Sequence, residues 1–166
     1  MASHAGSLVV GVSELLRHPG TRREITATAA LEGLAITASR VVEGSDVEAR
    51  LTLEAMSDRS LTATGSIRAR WTGECRRCLA TVEGDLATEV REIFEARAVE
   101  GETYPLDGDR IDLEPVVRDA VLLALPLAPL CEDTCKGPEP DAHPLGEGAV
   151  DTPDERWAAL RELKFD

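Results

Sequence analysis

The sequence predicts an α+β chain: an antiparallel, meander-like or partly closed β-sheet of about five strands, with two helices in the C-terminal half. Three observations carry that expectation. Residues 47–55 and 60–71 alternate apolar and polar side chains, and residues 80–94 continue the alternation. Period two is the mark of a strand with one wet face. Two stretches at helical spacing follow, over 111–126 and 153–165.

The elements follow in order. Weak alternation at 22–31 and 33–43 suggests two strands, with Glu32-Gly33 near the turn between them. In 47–55, Val47, Ala49, Leu51, Leu53 and Ala55 take one face and Glu48, Arg50, Thr52 and Glu54 the other. In 60–71 the inward set is Leu61, Ala63, Ile67, Ala69 and Trp71; in 80–94 it is Val82, Leu86, Val90 and Phe94. A short acidic loop is expected at 100–110. Asp112 can cap a helix running to about Leu125, because its carboxylate can take an orphan N–H of the first turn. Pro115 is tolerated at that end and Pro126 stops the helix. Its apolar stripe is Leu113, Val116, Val117, Ala120, Val121 and Ala124.

Residues 136–152, rich in proline, glycine and acids, read as a loop. Thr152, Pro153, Asp154 and Glu155 then spell a capping box with proline at the first helical position. Trp157, Leu160 and Leu163 share one face of the helix it opens, a face expected to dock on the sheet or, alternatively, to meet a partner.

One domain over 1–166 is a normal reading of this length, with residues 8–99 as the strand-rich part. Such a chain buries roughly 70% of its unfolded surface and needs no disulfides to fold. Aromatic residues make up only 3%, so the core must be aliphatic, and Trp71, Phe94, Tyr104, Trp157 and Phe165 gain individual weight.

The charge is lopsided: 31 acidic side chains against 18 basic ones, a net of −13. Such a surface repels nucleic acid as a whole, so any RNA contact must be local or pass through a protein partner. Simple solubility accounts for the acidity equally well. Met1 to Val12 lacks the basic start and apolar run of a targeting segment. The apolar stretch Ala120 to Leu130 is broken by Pro126 and Pro129 and is too short to span a bilayer. A cytoplasmic address is expected, and there thiols stay reduced.

The chemistry lies in four cysteines. Cys75 and Cys78 form a C-x2-C flanked by strand signals, and Cys131 and Cys135 form a C-x3-C just after the first predicted helix. Zinc takes four tetrahedral ligands, and two close pairs from different elements supply them. The alternative is four reduced cysteines in two structural turns. His143, in the adjacent loop, is a candidate substitute ligand or a solvated side chain. A redox C-x-x-C opens a helix whose N-terminus lowers the thiol pKa; this pair has strand patterns on both sides instead.

Arg68, Arg70, Arg76 and Arg77 cluster within ten residues. In an anionic chain they are a candidate contact for RNA phosphates or an acidic partner. Their alternative role is to offset a four-thiolate site and nearby carboxylates. Catalysis finds little support. His4, His18 and His143 have no neighbouring nucleophile or metal-ligand pair in the sequence, and neither phosphate-loop nor dinucleotide glycine patterns occur. The expectation is a non-enzyme with no catalytic residues.

Four stretches make the chain resemble the large ribosomal RNA subunit accumulation protein (YceD) family. They are GECRRCLATVEGDLATEVREIF at 73–94, IDLEPVVRDAVLLALPLAPLC at 111–131, the C-x3-C-K-G run at 131–137 and DTPDERWAALRELKF at 151–165. Arg77 and Cys78 match the family's R-C step, and 111–131 is close to its D-L-x(n)-D-x-x-L-L-A-L-P signature. One departure concerns the C-K-G run. Many relatives extend it with a further cysteine pair, where this chain reads GPEPDAHPLG. The resemblance implies a bacterial cytosolic factor for synthesis, processing or stability of large-subunit (23S) ribosomal RNA, without enzymatic activity. The acidic surface then suggests a basic ribosomal protein or assembly factor as partner, and no small-molecule substrate. Two other classes remain open: a redox-responsive protein whose thiols release zinc on oxidation, and a metal-dependent RNA hydrolase with an open coordination position.

Overall fold

A computed structural model describes residues 3–5, 8–56 and 59–138. The acidic loop beyond residue 138, the helix expected at 153–165 and His143 lie outside the described residues.

The fold is mixed α+β, with nine strands among the described residues rather than about five. They are β1 (Ser3–Ala5), β2 (Val9–Gly11), β3 (Arg22–Ala29), β4 (Ser39–Val41), β5 (Val47–Ala55), β6 (Leu61–Glu74), β7 (Thr81–Glu95), β8 (Tyr104–Asp107) and β9 (Arg110–Asp112). A short helix α1 (Ser13–Arg17) and a longer α2 (Glu114–Ala124) accompany them. The strands join in the order β1-β3-β5-β6-β7-β8-β9-β2, with β4 beside β6.

The centre, β3-β5-β6-β7, is the expected antiparallel meander. Its register follows from burial, since a one-residue slip would turn every apolar side chain outward. Val47, Ala49, Leu51, Leu53 and Ala55 of β5 and Leu61, Ala63, Ile67 and Ala69 of β6 are all buried. On β7, Leu86, Val90 and Phe94 share that buried face.

Gly65 and Gly84 allow the close pairing. A Cβ on Gly65 would stand 2.1 Å from the carbonyl oxygen of Arg50, the residue before its β5 partner Leu51. A Cβ on Gly84 would stand 2.9–3.0 Å from the indole of Trp71, its direct cross-strand neighbour.

The extra strands are short. Of the expected 33–43 strand, Ser39–Val41 pairs with β6, taking the place that β5 leaves at Glu48, and Ala35 forms an isolated bridge back to Arg40. The expected 100–110 loop instead contains β8 and the start of β9. They form a hairpin around Gly108-Asp109, with Gly108 at φ 61° as a type II′ turn requires of its first central residue.

Helix α2 begins where expected. The Glu114 N–H donates to the Asp112 carboxylate at 2.9 Å, one residue outside the formal cap. It ends at Ala124, with Leu125 extended at ψ 136° as a residue before proline must be. Val116, Val117 and Val121 pack on β6 and β7, while Leu123 is left 87% exposed. Arg118 donates to the Glu32 carbonyl at 2.9 Å and ties the helix to the β3–β4 connection. No helix among the described residues is long and apolar enough to cross a membrane.

Candidate metal centre

The β6–β7 turn folds on itself at Cys75. Its N–H donates to the Ala80 carbonyl at 2.8 Å, and its carbonyl accepts from the Leu79 N–H at 2.9 Å. Leu79 closes the turn at φ 63°. This places Cys75 and Cys78 on one side of a tight knuckle.

The second pair arrives on the chain leaving α2. The Pro126 carbonyl accepts the hydroxyl of buried Ser39 at 2.8 Å, and the Pro129 carbonyl accepts the Arg76 N–H at 2.9 Å. That segment is thereby fixed against β4 and the knuckle. The Cys135 N–H then donates to the Glu132 carbonyl at 3.2 Å, curling Cys131 and Cys135 toward the first pair.

All four sulfurs lie within 4.8 Å of one another. Cys75 and Cys135 are 3.8 Å apart and buried; Cys78 and Cys131 are 3.7 Å apart at the solvent side. A disulfide needs about 2.05 Å, so these are free thiols. A tetrahedral ion at a metal–sulfur distance of about 2.3 Å sets its sulfurs about 3.8 Å apart. The four residues can therefore hold a metal ion.

The electrostatics point the same way. The backbone N–H groups of Cys78, Cys131 and Arg77 face the Cys75 sulfur and outweigh its burial, lowering its pKa to about 6. Cys131 is pushed up to about 12 by the sulfurs of Cys135 and Cys78 and by burial. At Cys78 the Ala80 N–H favours the thiolate, but the Cys75 sulfur and burial prevail and raise the pKa. Cys75 thus favours the thiolate, whereas Cys78 and Cys131 resist ionisation unless a cation joins them.

The four arginines do not share one role. Arg77 directs Nη1 to the carbonyls of Asp133 at 3.1 Å and Cys135 at 2.7 Å, bracing the second cysteine loop. Arg70 reaches Glu83 at 3.9 Å on the outer face of the sheet. Arg68 lies on that face opposite Glu48 and Ala87, and Arg76 is exposed at the knuckle. Arg40 of β4, opposite Thr72, extends the row; it stands far away in sequence and carries no signal that sequence reading could use. The brace by Arg77 also lacks a sequence signal beyond adjacency to Cys78.

The model of the family described as "Large ribosomal RNA subunit accumulation protein YceD" matches residues 63–164. The chain belongs to the YceD family. The YceD match takes in β6, β7, α2 and both cysteine pairs. An uncharacterized protein of Mycobacterium tuberculosis is 32% identical, the alignment covering 96% of this chain and 82% of that protein. One from Mycobacterium leprae is 30% identical over 78% of this chain and 63% of its own length. The Arabidopsis thaliana protein named "Large ribosomal RNA subunit accumulation protein YCED homolog 2, chloroplastic" is 33% identical over 37% of this chain and 27% of its own length. No solved structure matches.

Proposed function

We propose that this YceD-family chain supports accumulation of large-subunit (23S) ribosomal RNA as a non-catalytic cytoplasmic assembly factor whose fold is stapled by zinc. The family match over residues 63–164 carries the ribosomal part. The convergence of four sulfurs within 4.8 Å supports the staple. Soft thiolates in a tetrahedral set suit zinc, and a closed set of four sulfurs leaves no position for water or substrate. That favours a structural ion over a hydrolytic one. When bound, the zinc supplies charge neutralisation to the thiolates and a rigid cross-link. Cys75 and Cys135 hold its buried side, and Cys78 and Cys131 its outer side.

The partner in this reading is a basic ribosomal protein or assembly factor, with local RNA contact at the exposed arginines Arg68, Arg70 and Arg76. Depletion of the chain in its host tests the ribosomal role. The ratio of large- to small-subunit RNA should fall and be restored by the wild-type gene; an unchanged ratio overturns the proposal.

One observation favours a second reading. Cys78 and Cys131 face solvent 3.7 Å apart, so oxidation could join them and release the ion. Peroxide treatment followed by thiol titration and zinc release distinguishes this responsive site from a static one.

A further inference from the structure

The longest strand carries an open edge. β7 pairs with β6 from Thr81 through Phe94, but on its other side it meets β8 only at Phe94 and Glu95. Among the described residues, 81–93 therefore have a neighbouring strand on one side alone. Alternate residues along this stretch direct an N–H and a C=O away from β6. Proteins usually blunt such an edge with charged side chains, above all lysine, with proline or with a covering element; residues 81–93 contain neither lysine nor proline, and their charges are mostly acidic, which deters an acidic strand but not a basic one.

The chemistry along the edge is one-sided. Glu83, Asp85 and Glu89 project from the outer face of β7, against the single cation Arg91. Arg68 and Arg70 stand one strand further in, Arg70 reaching Glu83 at 3.9 Å. Where β8 meets β7, a cavity of about 460 Å³ opens between the edge and α2, lined by Glu92, Glu102, Tyr104, Asp119, Leu122 and Leu123. No cation lines it. The Tyr104 hydroxyl already donates to Asp119 at 2.9 Å, leaving carboxylate oxygens of Glu92 and Glu102 to receive a donor from outside. Leu123 gives the same flank an apolar surface.

We propose that the β7 edge is a strand-addition site for a basic, extended polypeptide segment. The segment would continue the line of β8 alongside residues 81–93. Its backbone would complete the ladder. Side chains on its outer face would be lysines or arginines beside Glu83, Asp85 and Glu89. On the inner face, aliphatic residues would lie along Leu122 and Leu123, and one cation would enter the cavity between Glu92 and Glu102.

Charge selects this occupant over the others. A second copy would bring the same acidic edge and a net charge of −13. Residues 139–166 of the chain itself contain more acids than bases. RNA would be repelled by the carboxylates. The surface rests on the assembly reading only for the biological source of the partner.

The test uses the full-length protein and a synthetic peptide of alternating lysine and valine. Hydrogen–deuterium exchange should show alternate amides between Val82 and Glu92 gaining protection as the peptide is added. Methylating alternate backbone nitrogens of the peptide should abolish binding to the wild-type protein. A glutamate–valine peptide should not bind. The double variant E92Q/E102Q should weaken binding about fivefold, as loss of two partly exposed charge pairs implies. The proposal is overturned if the outward-facing β7 amides, those that do not donate to β6, are already protected in the free chain, or if the lysine peptide does not bind. It is equally overturned if protection falls elsewhere, or if the acidic or methylated peptide binds as well. The ribosomal RNA ratio is measured independently, so failure here leaves that reading standing.

Discussion

Arg77 donates from Nη1 to the carbonyl oxygen of Cys135 at 2.7 Å, so a side chain of the first cysteine turn fixes the backbone of the second. The same nitrogen reaches the Asp133 carbonyl at 3.1 Å. Removing this brace should leave all four sulfurs present but their spacing less defined. Arg77→Met is expected to weaken zinc affinity by about tenfold, the scale of lost ligand-orienting contacts. Arg76→Met, at the exposed neighbour, should leave it unchanged. Competition with a chromogenic chelator reads both; equal affinity in all three proteins would remove the orienting role.

The metal itself should be countable. The purified chain is expected to hold one zinc, and Cys75→Ser and Cys135→Ser should each lose it, because the remaining sulfurs no longer close a tetrahedron. At free zinc 100- to 1,000-fold above Kd, the bound ion stabilises the fold by about 3–4 kcal/mol. For a chain of this size, chelation should then lower Tm by about 6–16 °C. Elemental analysis with paired melting curves checks both. A metal-free protein whose Tm ignores added zinc would reduce the cluster to four ordinary thiols.

Loading should also release protons. Near neutral pH Cys75 already favours the thiolate, with its pKa near 6, whereas Cys131, near 12, and Cys78, also raised, keep their protons. Zinc requires thiolates, so binding must expel at least about two protons at pH 7. Affinity should accordingly fall as pH falls, since protons compete for the same sulfurs. Titrating zinc into weakly buffered metal-free protein, with a pH indicator, measures the yield; release of no protons would mean that the thiols are not the ligands.

Much of this arrangement is legible before any coordinates. β5, β6 and β7 are long enough for alternation to declare itself, and Leu53, Leu61, Ile67 and Phe94 are buried as that pattern requires. Asp112 and Pro126 bracket α2 because capping and proline geometry are local. The cysteine spacing likewise exposes two candidate half-sites. What escapes is of two kinds. Strands of three or four residues, such as β4, β8 and β9, are too short to establish a period, although Gly108-Asp109 is the glycine-first pair that a type II′ hairpin takes. Contacts such as Ser39 with Pro126, or Arg77 with Cys135, join residues distant in the chain, and composition is silent about them.

The last expectation concerns the strand leading into the knuckle. Trp71 lies directly across from Gly84 with its indole over the glycine, four residues before Cys75. A methyl group there would meet ring atoms at 2.9–3.0 Å, whereas one at Gly65 would meet the Arg50 carbonyl oxygen at 2.1 Å. A ring can shift, but a backbone oxygen in a ladder moves only with its strand. Gly84→Ala should therefore cost about 1–2 kcal/mol, and Gly65→Ala more, about 3 kcal/mol or above. Adding Trp71→Leu should recover part of the Gly84→Ala loss, because the two residues are in contact and their effects are not additive. The same second change should recover nothing for Gly65→Ala. Urea unfolding of the two glycine variants, Trp71→Leu and the two double variants decides it: equal losses at both glycines, or no coupling between Trp71 and Gly84, would contradict the packing described.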